Sequence, residues 1–282
     1  MVNVSVEPIS PQLGARVYVS ADQLLVEGVP EQCLALLNTH GVLVFPAIGV
    51  SDQLQVEFSN RLGQMKASKI YTNGDDSGDS LGIYPVTLDP GRAKYIDYIV
   101  SNEHWHMDGT TYAVPPKATN LKCEVPASSG GDTEFANLFA AYEQLPDEKK
   151  AQLQGLRVVH GAAAANLRSF KNPSIVDLER WMRDGPATEQ PLVWQQADGR
   201  CALVVGSTAD HIVGMDLDAG RALLQELLDW CTQPQFCYRH QWQKGDMVIW
   251  NNPGLLHRAH HYTLDSGRLM HRTTINGSEA LA

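Results

Sequence analysis

Apolar residues along this chain form short runs that are separated by turn residues, with a few helical stretches between them. Residues 30–41 are predicted to be a helix, because a proline stands in the first turn and a glycine at the C-terminal stop. The apolar run 42–46 follows as a short buried strand that ends at its proline. Apolar side chains at helical spacing after Ser51 and in 218–233 indicate two further amphipathic helices.

Most other apolar runs are predicted strands, and the C-terminal part of the chain is rich in them. These strands are expected at 117–126, 134–137, 156–160, 201–205, 236–242, 246–250 and 268–275. Many short strands with a few helices between them are typical of a sandwich or a jelly roll. We therefore predict a mainly β fold with flanking helices around a jelly-roll core, that is, a double-stranded β-helix.

Two stretches, residues 66–94 and 162–198, show neither the helical nor the strand period. The first is polar and rich in glycine and aspartate, and it leads directly into the segment with the candidate chemistry. A polar loop of this length inside a compact domain is usually disordered or covers a site. We expect residues 1–282 to form a single domain in which 66–94 and 162–198 are lid-like insertions.

Composition narrows the classes of function. The chain has 282 residues, of which 43% are hydrophobic, and a formal net charge of −10. A nucleic-acid partner needs a basic face, so this charge argues against one. The sequence has no apolar run of membrane-spanning length and no signal-peptide pattern, and its five scattered cysteines fit reduced thiols. We expect a cytoplasmic protein that acts on a small molecule, without a membrane partner.

The candidate chemistry begins with a histidine and an aspartate two residues apart. If residues 96–108 run as a strand, His106 and Asp108 point to the same face and can bind one ion together. His104 stands at a similar step but has no carboxylate two residues on. The best third ligand is His257, which follows another apolar run. Two imidazoles and one carboxylate with open positions beside them are the arrangement of non-haem Fe(II) oxygenases.

Two arginines follow the third candidate ligand. Arg268 and Arg272 are four residues apart, so on an extended strand their guanidinium groups share a face. Arginine is suited to gripping a carboxylate through paired hydrogen bonds. A metal with open positions beside one or two arginines is what a dicarboxylate co-substrate such as 2-oxoglutarate requires.

At this point the sequence resembles a known family, the taurine and aryloxyacetate dioxygenases that depend on Fe(II) and 2-oxoglutarate. Three segments carry the resemblance, in the family's order and at family-like spacing. They are Asn102 to Asp108, the glycine-containing turn 129–133 followed by 140–143, and Gly245-Asp246 through His257 to Arg272. The resemblance covers nearly the whole chain.

The resemblance implies roles for individual residues. His106, Asp108 and His257 match the ligands of Fe(II). Thr133 and Arg268 match the residues that hold the distal carboxylate of 2-oxoglutarate. The retained carboxylate ligand favours hydroxylation, because related iron halogenases lose it so that chloride can bind the metal.

The resemblance also implies where a substrate would bind. Arg272 matches an arginine beside the metal-bound end of 2-oxoglutarate, which in taurine dioxygenases grips the substrate sulfonate. Asn102 and Tyr71 match substrate-contacting positions. Ser68 stands where taurine dioxygenases carry a sulfonate-binding histidine, so taurine itself is not the expected substrate.

The implied function is the hydroxylation of a small anionic organic molecule, with O2 and 2-oxoglutarate as co-substrates. A sulfonate, a sulfate ester or an aryloxyalkanoate fits, and a hydroxylated carbon that bears a leaving group would then release it. One alternative is a tailoring oxygenase for an amino acid or natural product. Another is a catalytically idle jelly-roll ligand sensor, which would have no physical reason to retain all three ligands and both arginines. The family is often oligomeric, which leaves a homo-oligomer open.

Overall fold

The structure is a computed structural model that describes residues 2, 4–66, 82–89, 91 and 96–282, with only the backbone of Tyr98. Within these residues, no helix is both long and apolar enough to span a bilayer. The α-helices are α1 (Val29–His40), α2 (Asp52–Leu62), α3 (Ile96–Ser101), α4 (Leu138–Glu143), α5 (Asp147–Leu153), α6 (Ala162–Ser169), α7 (Ile175–Asp184) and α8 (Leu217–Cys231).

The strands are short and run through the described chain from end to end. They are β1 (Ser5–Pro8), β2 (Ala15–Tyr18), β3 (Val42–Phe45), β4 (Tyr84–Val86), β5 (Ala118–Val125), β6 (Thr133–Asn137), β7 (Arg157–His160), β8 (Thr188–Pro191), β9 (Val193–Gln195), β10 (Cys201–Leu203), β11 (Ala209–Ile212), β12 (Cys237–His240), β13 (Met247–Asn251), β14 (Leu255–Ala259) and β15 (Leu269–Ile275).

Two sheets pack face to face and form the core. The larger sheet has the order β1-β2-β3-β13-β5-β15-β4, and the smaller one has the order β12-β6-β14. Phe135 of β6 and Trp250 of β13 meet between them, with ring centroids 5.5 Å apart. The chain passes from the larger sheet to the smaller at β5 to β6 and again at β13 to β14. These crossovers confirm the predicted jelly roll with flanking helices.

The two faces of β15 have different surroundings. On the outer face, Thr273 is hydrogen-bonded to Ser59 of α2, with the two hydroxyl oxygens 2.7 Å apart. His271 on the same face lies 2.7 Å from Asp52 at the start of α2. Side chains alternate along a strand, so the even-numbered residues of β15, including Arg272, face the smaller sheet.

A second hydrophobic core lies beside the sandwich, where α4, α8 and the sheet β11-β7-β8 meet. Two residues that flank the candidate ligand His106 belong to it. Trp105 is 8% exposed and Met107 is 1% exposed. This core therefore anchors the chain on both sides of the candidate metal ligand.

The expectation that 162–198 would be irregular is wrong. This stretch contains α6 and α7, followed by β8 and β9. Helix α7 begins with a capping box, in which Ser174 and Asp177 exchange hydrogen bonds. Apolar residues recur at helical spacing in α7, at Ile175, Leu178 and Trp181–Met182, so the sequence does carry a helical period here that the expectation overlooked.

The other expected insertion, 66–94, lies mostly outside the described residues, which omit 67–81, 90 and 92–94. Its described part contains β4, which pairs with β15 and forms the edge of the larger sheet. The expectation of an irregular stretch is therefore wrong for Tyr84–Val86. The predicted substrate contact Tyr71 and the neighbouring Ser68 lie outside the described residues.

Candidate metal and co-substrate site

The two candidate histidine ligands are joined to each other by their main chains. The amide of His106 donates to the carbonyl of His257 at 3.0 Å, and the reverse hydrogen bond measures 2.9 Å. The prediction of a strand over 96–108 is wrong, because helix α3 and a turn precede this isolated bridge. Pairing with β14 of the smaller sheet, rather than a continuous strand, thus brings the first histidine to the site.

The side chains of His106, Asp108 and His257 converge as the sequence predicted. The two histidine Nε2 atoms lie 3.8 and 3.9 Å from Oδ1 of Asp108, and the three ligand atoms are all within 4.8 Å of one another. Two bonds of about 2.1 Å to one ion span at most about 4.2 Å, so each histidine can share an ion with the carboxylate.

Burial sets the protonation states that metal ligands require. It lowers the pKa of His257 to about 3 and also lowers the pKa of His106, so both imidazoles are neutral near pH 7. Burial alone would raise the pKa of Asp108. Electrostatic interactions with His257, Arg272 and His106, together with a hydrogen bond from Thr119, instead lower it to about 2. The site thus presents one carboxylate and two neutral imidazoles, a donor set that fits a divalent ion such as Fe(II).

Neighbouring polar groups fix the orientation of two ligands. The carbonyl of His104 lies 2.8 Å from Nδ1 of His106 and can only accept, which leaves Nε2 as the metal-binding atom. The Thr119 hydroxyl donates to Oδ2 of Asp108 at 3.1 Å and accepts from Asn252 at 3.0 Å. Sequence reasoning identified neither Thr119 nor Asn252, since neither carries a charge.

A glycine lies directly behind the first ligand. The backbone of Gly206 has φ +120°, and an added Cβ would lie 2.8 Å from the carbonyl oxygen of Trp105 and 3.2 Å from Cα of His106. The next amide, of Ser207, donates to the same Trp105 carbonyl at 2.7 Å. The close approach of these two chain segments requires glycine here.

We expect Gly206→Ala to displace the backbone of His106 and to lower the affinity for Mn(II) about 10-fold, as is typical when the support of a ligand is disturbed. Gly199→Ala is the matched control, since Gly199 also has a positive φ but open space around its Cβ position. Both changes strain the backbone, at a cost of about 1–3 kcal/mol. Only Gly206→Ala should weaken Mn(II) binding in a calorimetric titration, and equal affinities in the two variants would contradict the expectation.

Arg268 is a buried cation without an acidic partner in the described part of the chain. Its side chain is 3% exposed, and its Nε donates to the carbonyl of Gly131 at 3.2 Å. Its Cζ lies 4.7 Å from the ring centroid of Tyr262, a residue that sequence reasoning missed. The Nη1 group of Arg268 is buried and has no hydrogen-bond partner among the described residues. An unpaired N–H on a buried guanidinium fits a bound carboxylate.

The other predicted co-substrate residues lie near the same region. Thr133 begins β6 and is 4% exposed, and its hydroxyl oxygen accepts from the indole N–H of Trp242 at 2.9 Å. Arg272 lies close enough to the ligands for its charge to act on the pKa of Asp108. Its Cζ is 5.0 Å from the ring centroid of Tyr84.

Asn102, a predicted substrate contact, directly follows α3. Its carbonyl accepts from the amide of Ala259 at 2.8 Å, which fixes this turn to the end of β14, two residues after the third ligand. The His104 side chain points away from the ligands, and its Nε2 lies 3.0 Å from the hydroxyl of Ser169 in α6. The predicted distinction between His104 and His106 therefore agrees with the geometry.

The remaining histidines near the C-terminus contact acidic residues. His260 lies 3.0 Å from Glu134 and His261 lies 2.8 Å from Glu103. The group of Asp52, Glu124 and His271 could geometrically hold an ion. The ammonium group of Lys122, however, lies 2.6 Å from each of the two carboxylates and occupies their centre.

Comparisons with known proteins agree with this geometry. The model of the "Taurine catabolism dioxygenase TauD, TfdA family" matches residues 5–274. An alpha-ketoglutarate-dependent 2,4-dichlorophenoxyacetate dioxygenase of Burkholderia sp. (strain RASC) is 34% identical over 251 residues, which cover 86% of this chain and 83% of that protein. An alpha-ketoglutarate-dependent sulfate ester dioxygenase of Pseudomonas putida is 28% identical over 287 residues, which cover 98% of this chain and 90% of that protein.

A solved structure of a related protein has the same fold. The crystal structure of AAD-2 in complex with Mn(II) and N-oxalylglycine superposes with a TM-score of 0.84 at 26% identity and covers 100% of both chains. There, Mn(II) and N-oxalylglycine stand in for Fe(II) and 2-oxoglutarate. The family match spans far more than half of the chain, and the buried donor set fits the family's metal. The chain therefore belongs to the TauD/TfdA family of Fe(II)- and 2-oxoglutarate-dependent dioxygenases.

Proposed function

We propose that this protein hydroxylates a small organic anion, with aryloxyalkanoates as the first class to test. The observation that carries the proposal is the convergence of His106, Asp108 and His257 in a chain whose buried Arg268 lacks an acidic partner among the described residues. The 34% identity to a 2,4-dichlorophenoxyacetate dioxygenase supports the aryloxyalkanoate class, and the similarity to a sulfate ester dioxygenase supports an anionic substrate more generally.

Each residue of the site has a proposed task. His106, Asp108 and His257 hold Fe(II), and Thr133 and Arg268 hold the distal carboxylate of 2-oxoglutarate. With O2, the bound metal and co-substrate supply the oxidation that converts a substrate C–H to C–OH while 2-oxoglutarate becomes succinate and CO2. The protein contributes binding, orientation and the exclusion of water.

The substrate's anionic group is proposed to meet Arg272. The position of the Arg272 guanidinium near the metal ligands supports this role, since its positive charge helps to lower the pKa of Asp108. Asn102 and Tyr71 would contact the same substrate. Where the hydroxylated carbon of such a substrate bears an aryl ether oxygen, the product collapses and releases a phenol.

The two insertions are proposed to be lids of a single domain. The hydrogen-bond contact between His104 and Ser169 supports this for 162–198, because it joins α6 to the residues beside His106. A partly buried ion pair between Arg180 and Asp97 joins α7 to α3. The segment 66–94 keeps the same proposed role, which limited proteolysis with and without N-oxalylglycine would test in both segments.

The experiment that tests the function measures succinate in the presence of Fe(II), 2-oxoglutarate and O2. Each reaction contains one candidate substrate, drawn from aryloxyalkanoates, sulfate esters, sulfonates, amino acids or apolar natural products. Substrate-dependent succinate with a released phenol is the expected result for an aryloxyalkanoate. Turnover confined to amino acids or natural products would support a tailoring oxygenase instead. Binding of Fe(II) and 2-oxoglutarate without turnover of any substrate would support a ligand sensor.

We further propose that the protein works in the cytoplasm as a homo-oligomer and binds neither nucleic acid nor a membrane. The net charge of −10 supports the absence of a nucleic-acid partner. Light scattering at several concentrations tests the oligomeric state, and a monomer at all of them would contradict it.

A further inference from the structure

The hydroxyl group of Thr133 has one hydrogen-bonding role that the structure fixes and one that it leaves open. An indole N–H can only donate, so the 2.9 Å contact makes the Thr133 oxygen the acceptor from Trp242. The hydroxyl hydrogen is then available for another acceptor. Among the described residues no acceptor receives it, although the Thr133 side chain is buried.

The open donor of Thr133 lies in the same small region as the open donor of Arg268. Thr133 follows the turn that contains Gly131, and the carbonyl of Gly131 accepts from Nε of Arg268. An added Cβ on Gly131 would lie 3.0 Å from Cδ of Arg268, so the turn and the arginine are in close contact. The Thr133 hydroxyl and the Arg268 Nη1 group are both buried donors without an acceptor among the described residues, and a carboxylate supplies two oxygens that can accept from such donors.

Trp242 itself is held in place by the segment that follows β12. The ring of His240 packs edge-on against it, with centroids 4.6 Å apart at 88°. His240 lies 3.1 Å from the carboxylate of Asp246, which also accepts from the backbone amides of Gln243 and Ala47 at 2.9 and 2.8 Å. The carboxylate of Asp246 thus closes the turn that presents Trp242 to Thr133.

We propose that Trp242 is a positioning residue for 2-oxoglutarate. By occupying a lone pair of the Thr133 oxygen, it turns the hydroxyl hydrogen towards the distal carboxylate, and the hydrogen bond also polarises the hydroxyl. This inference rests on the proposed role of Thr133. It adds that the affinity for the co-substrate depends on a residue that does not itself touch the co-substrate.

The test is a double-mutant cycle on the Mn(II)-loaded protein, with N-oxalylglycine binding measured by calorimetry. Trp242→Phe removes the N–H and keeps an aromatic ring, and we expect N-oxalylglycine to bind about 5-fold more weakly, the usual effect of one hydrogen bond. Thr133→Val should weaken binding at least as much. In the double variant, Trp242→Phe should add nothing to the loss caused by Thr133→Val. Trp230→Phe is the matched control, because the indole of Trp230 donates to the carbonyl of Ala141 within the hydrophobic core of α4 and α8, a different core from that of Trp242.

The outcomes separate the inference from the proposed function. If the two losses of N-oxalylglycine affinity are additive in the double variant, or if Trp242→Phe leaves the affinity unchanged, the role of Trp242 is wrong while the role of Thr133 stands. An unchanged affinity in Thr133→Val would instead remove the proposed co-substrate role of Thr133, and the inference with it. Thermal unfolding of each variant verifies that the losses arise in a folded protein.

A second readout requires no change at Trp242. In protein labelled with 5-fluorotryptophan and loaded with Zn(II), Thr133→Val should displace one 19F signal, and the addition of N-oxalylglycine to the unsubstituted protein should displace the same signal. Thr133→Ser, which keeps the hydroxyl, should leave that signal near its original position. A Thr133→Val-sensitive signal that does not respond to N-oxalylglycine would contradict the inference.

Discussion

Asp108→Ala is expected to abolish substrate-dependent succinate formation and to lower the affinity for Mn(II) by more than about 100-fold, since loss of an outer partner of a metal ligand alone costs 10–100-fold. The reason is that Asp108 supplies the only negative charge among the three convergent ligands. Its replacement leaves two neutral imidazoles, which cannot balance the charge of a divalent ion. Calorimetric Mn(II) titration and a succinate assay measure the two losses separately.

The free energy of unfolding of the metal-free protein should not fall by a comparable amount in Asp108→Ala. The cost of desolvating this buried carboxylate offsets part of the stabilisation that its charged and hydrogen-bonding neighbours provide, so the net loss of stability should be smaller than the loss of Mn(II) binding. Asp210→Ala is the control, because Asp210 is a half-exposed carboxylate paired with Arg221 and His211 outside the metal site. If Asp108→Ala binds Mn(II) as tightly as Asp210→Ala does, the proposed ligand set is wrong.

Arg268→Met is expected to weaken N-oxalylglycine binding about 100-fold while leaving Mn(II) affinity unchanged. Loss of one partner from a buried, charge-assisted pair typically costs 2–5 kcal/mol, and Arg268 is buried with an open Nη1. Methionine fills much of the same volume without the charge. Calorimetry with the metal alone and then with N-oxalylglycine separates the two affinities.

The same substitution should leave the stability of the free protein unchanged or raise it, because a buried cation without an acidic partner is replaced by an apolar side chain. Arg221→Met serves as the control, since Arg221 is half-exposed and paired with Asp210. It should change neither affinity. A large loss of stability in Arg268→Met with little loss of N-oxalylglycine binding would mean that Arg268 is structural.

The convergence of His106, Asp108 and His257 could be predicted from the sequence, although the strand that was expected to explain it is absent. The two-residue step between His106 and Asp108 was explained by a strand over 96–108, whereas the structure has a helix and a turn before the bridge to His257. The side chains converge because the backbone of the first ligand pairs with a strand more than half the chain away. Periodicity describes only neighbours in sequence, so it could not reveal this pairing.

The arginine pair was explained by one extended strand, and this explanation holds only for Arg272. Arg272 lies on the inward face of β15, whereas Arg268 stands before the strand begins at Leu269 and contacts Gly131 and Tyr262. Helix α7 was missed although its apolar residues recur at helical spacing, because Pro173 and Gly185-Pro186 on either side of it favoured an irregular stretch. Trp242 and Tyr262 were missed because neither carries a charge that marks chemistry in a sequence, and the contact of Trp242 with Thr133 joins distant segments.

The backbone bridge between His106 and His257 has a consequence for how the enzyme is made. The amide and carbonyl groups of His257 hold the backbone of His106 in place through two hydrogen bonds. The strand that follows, β15, lies between β5 and β4. During synthesis, a nascent chain that ends before these segments has no assembled place for iron. Capture of the metal at this site therefore requires a polypeptide that already includes the segment around His257, and a translation product that ends before it lacks the third ligand.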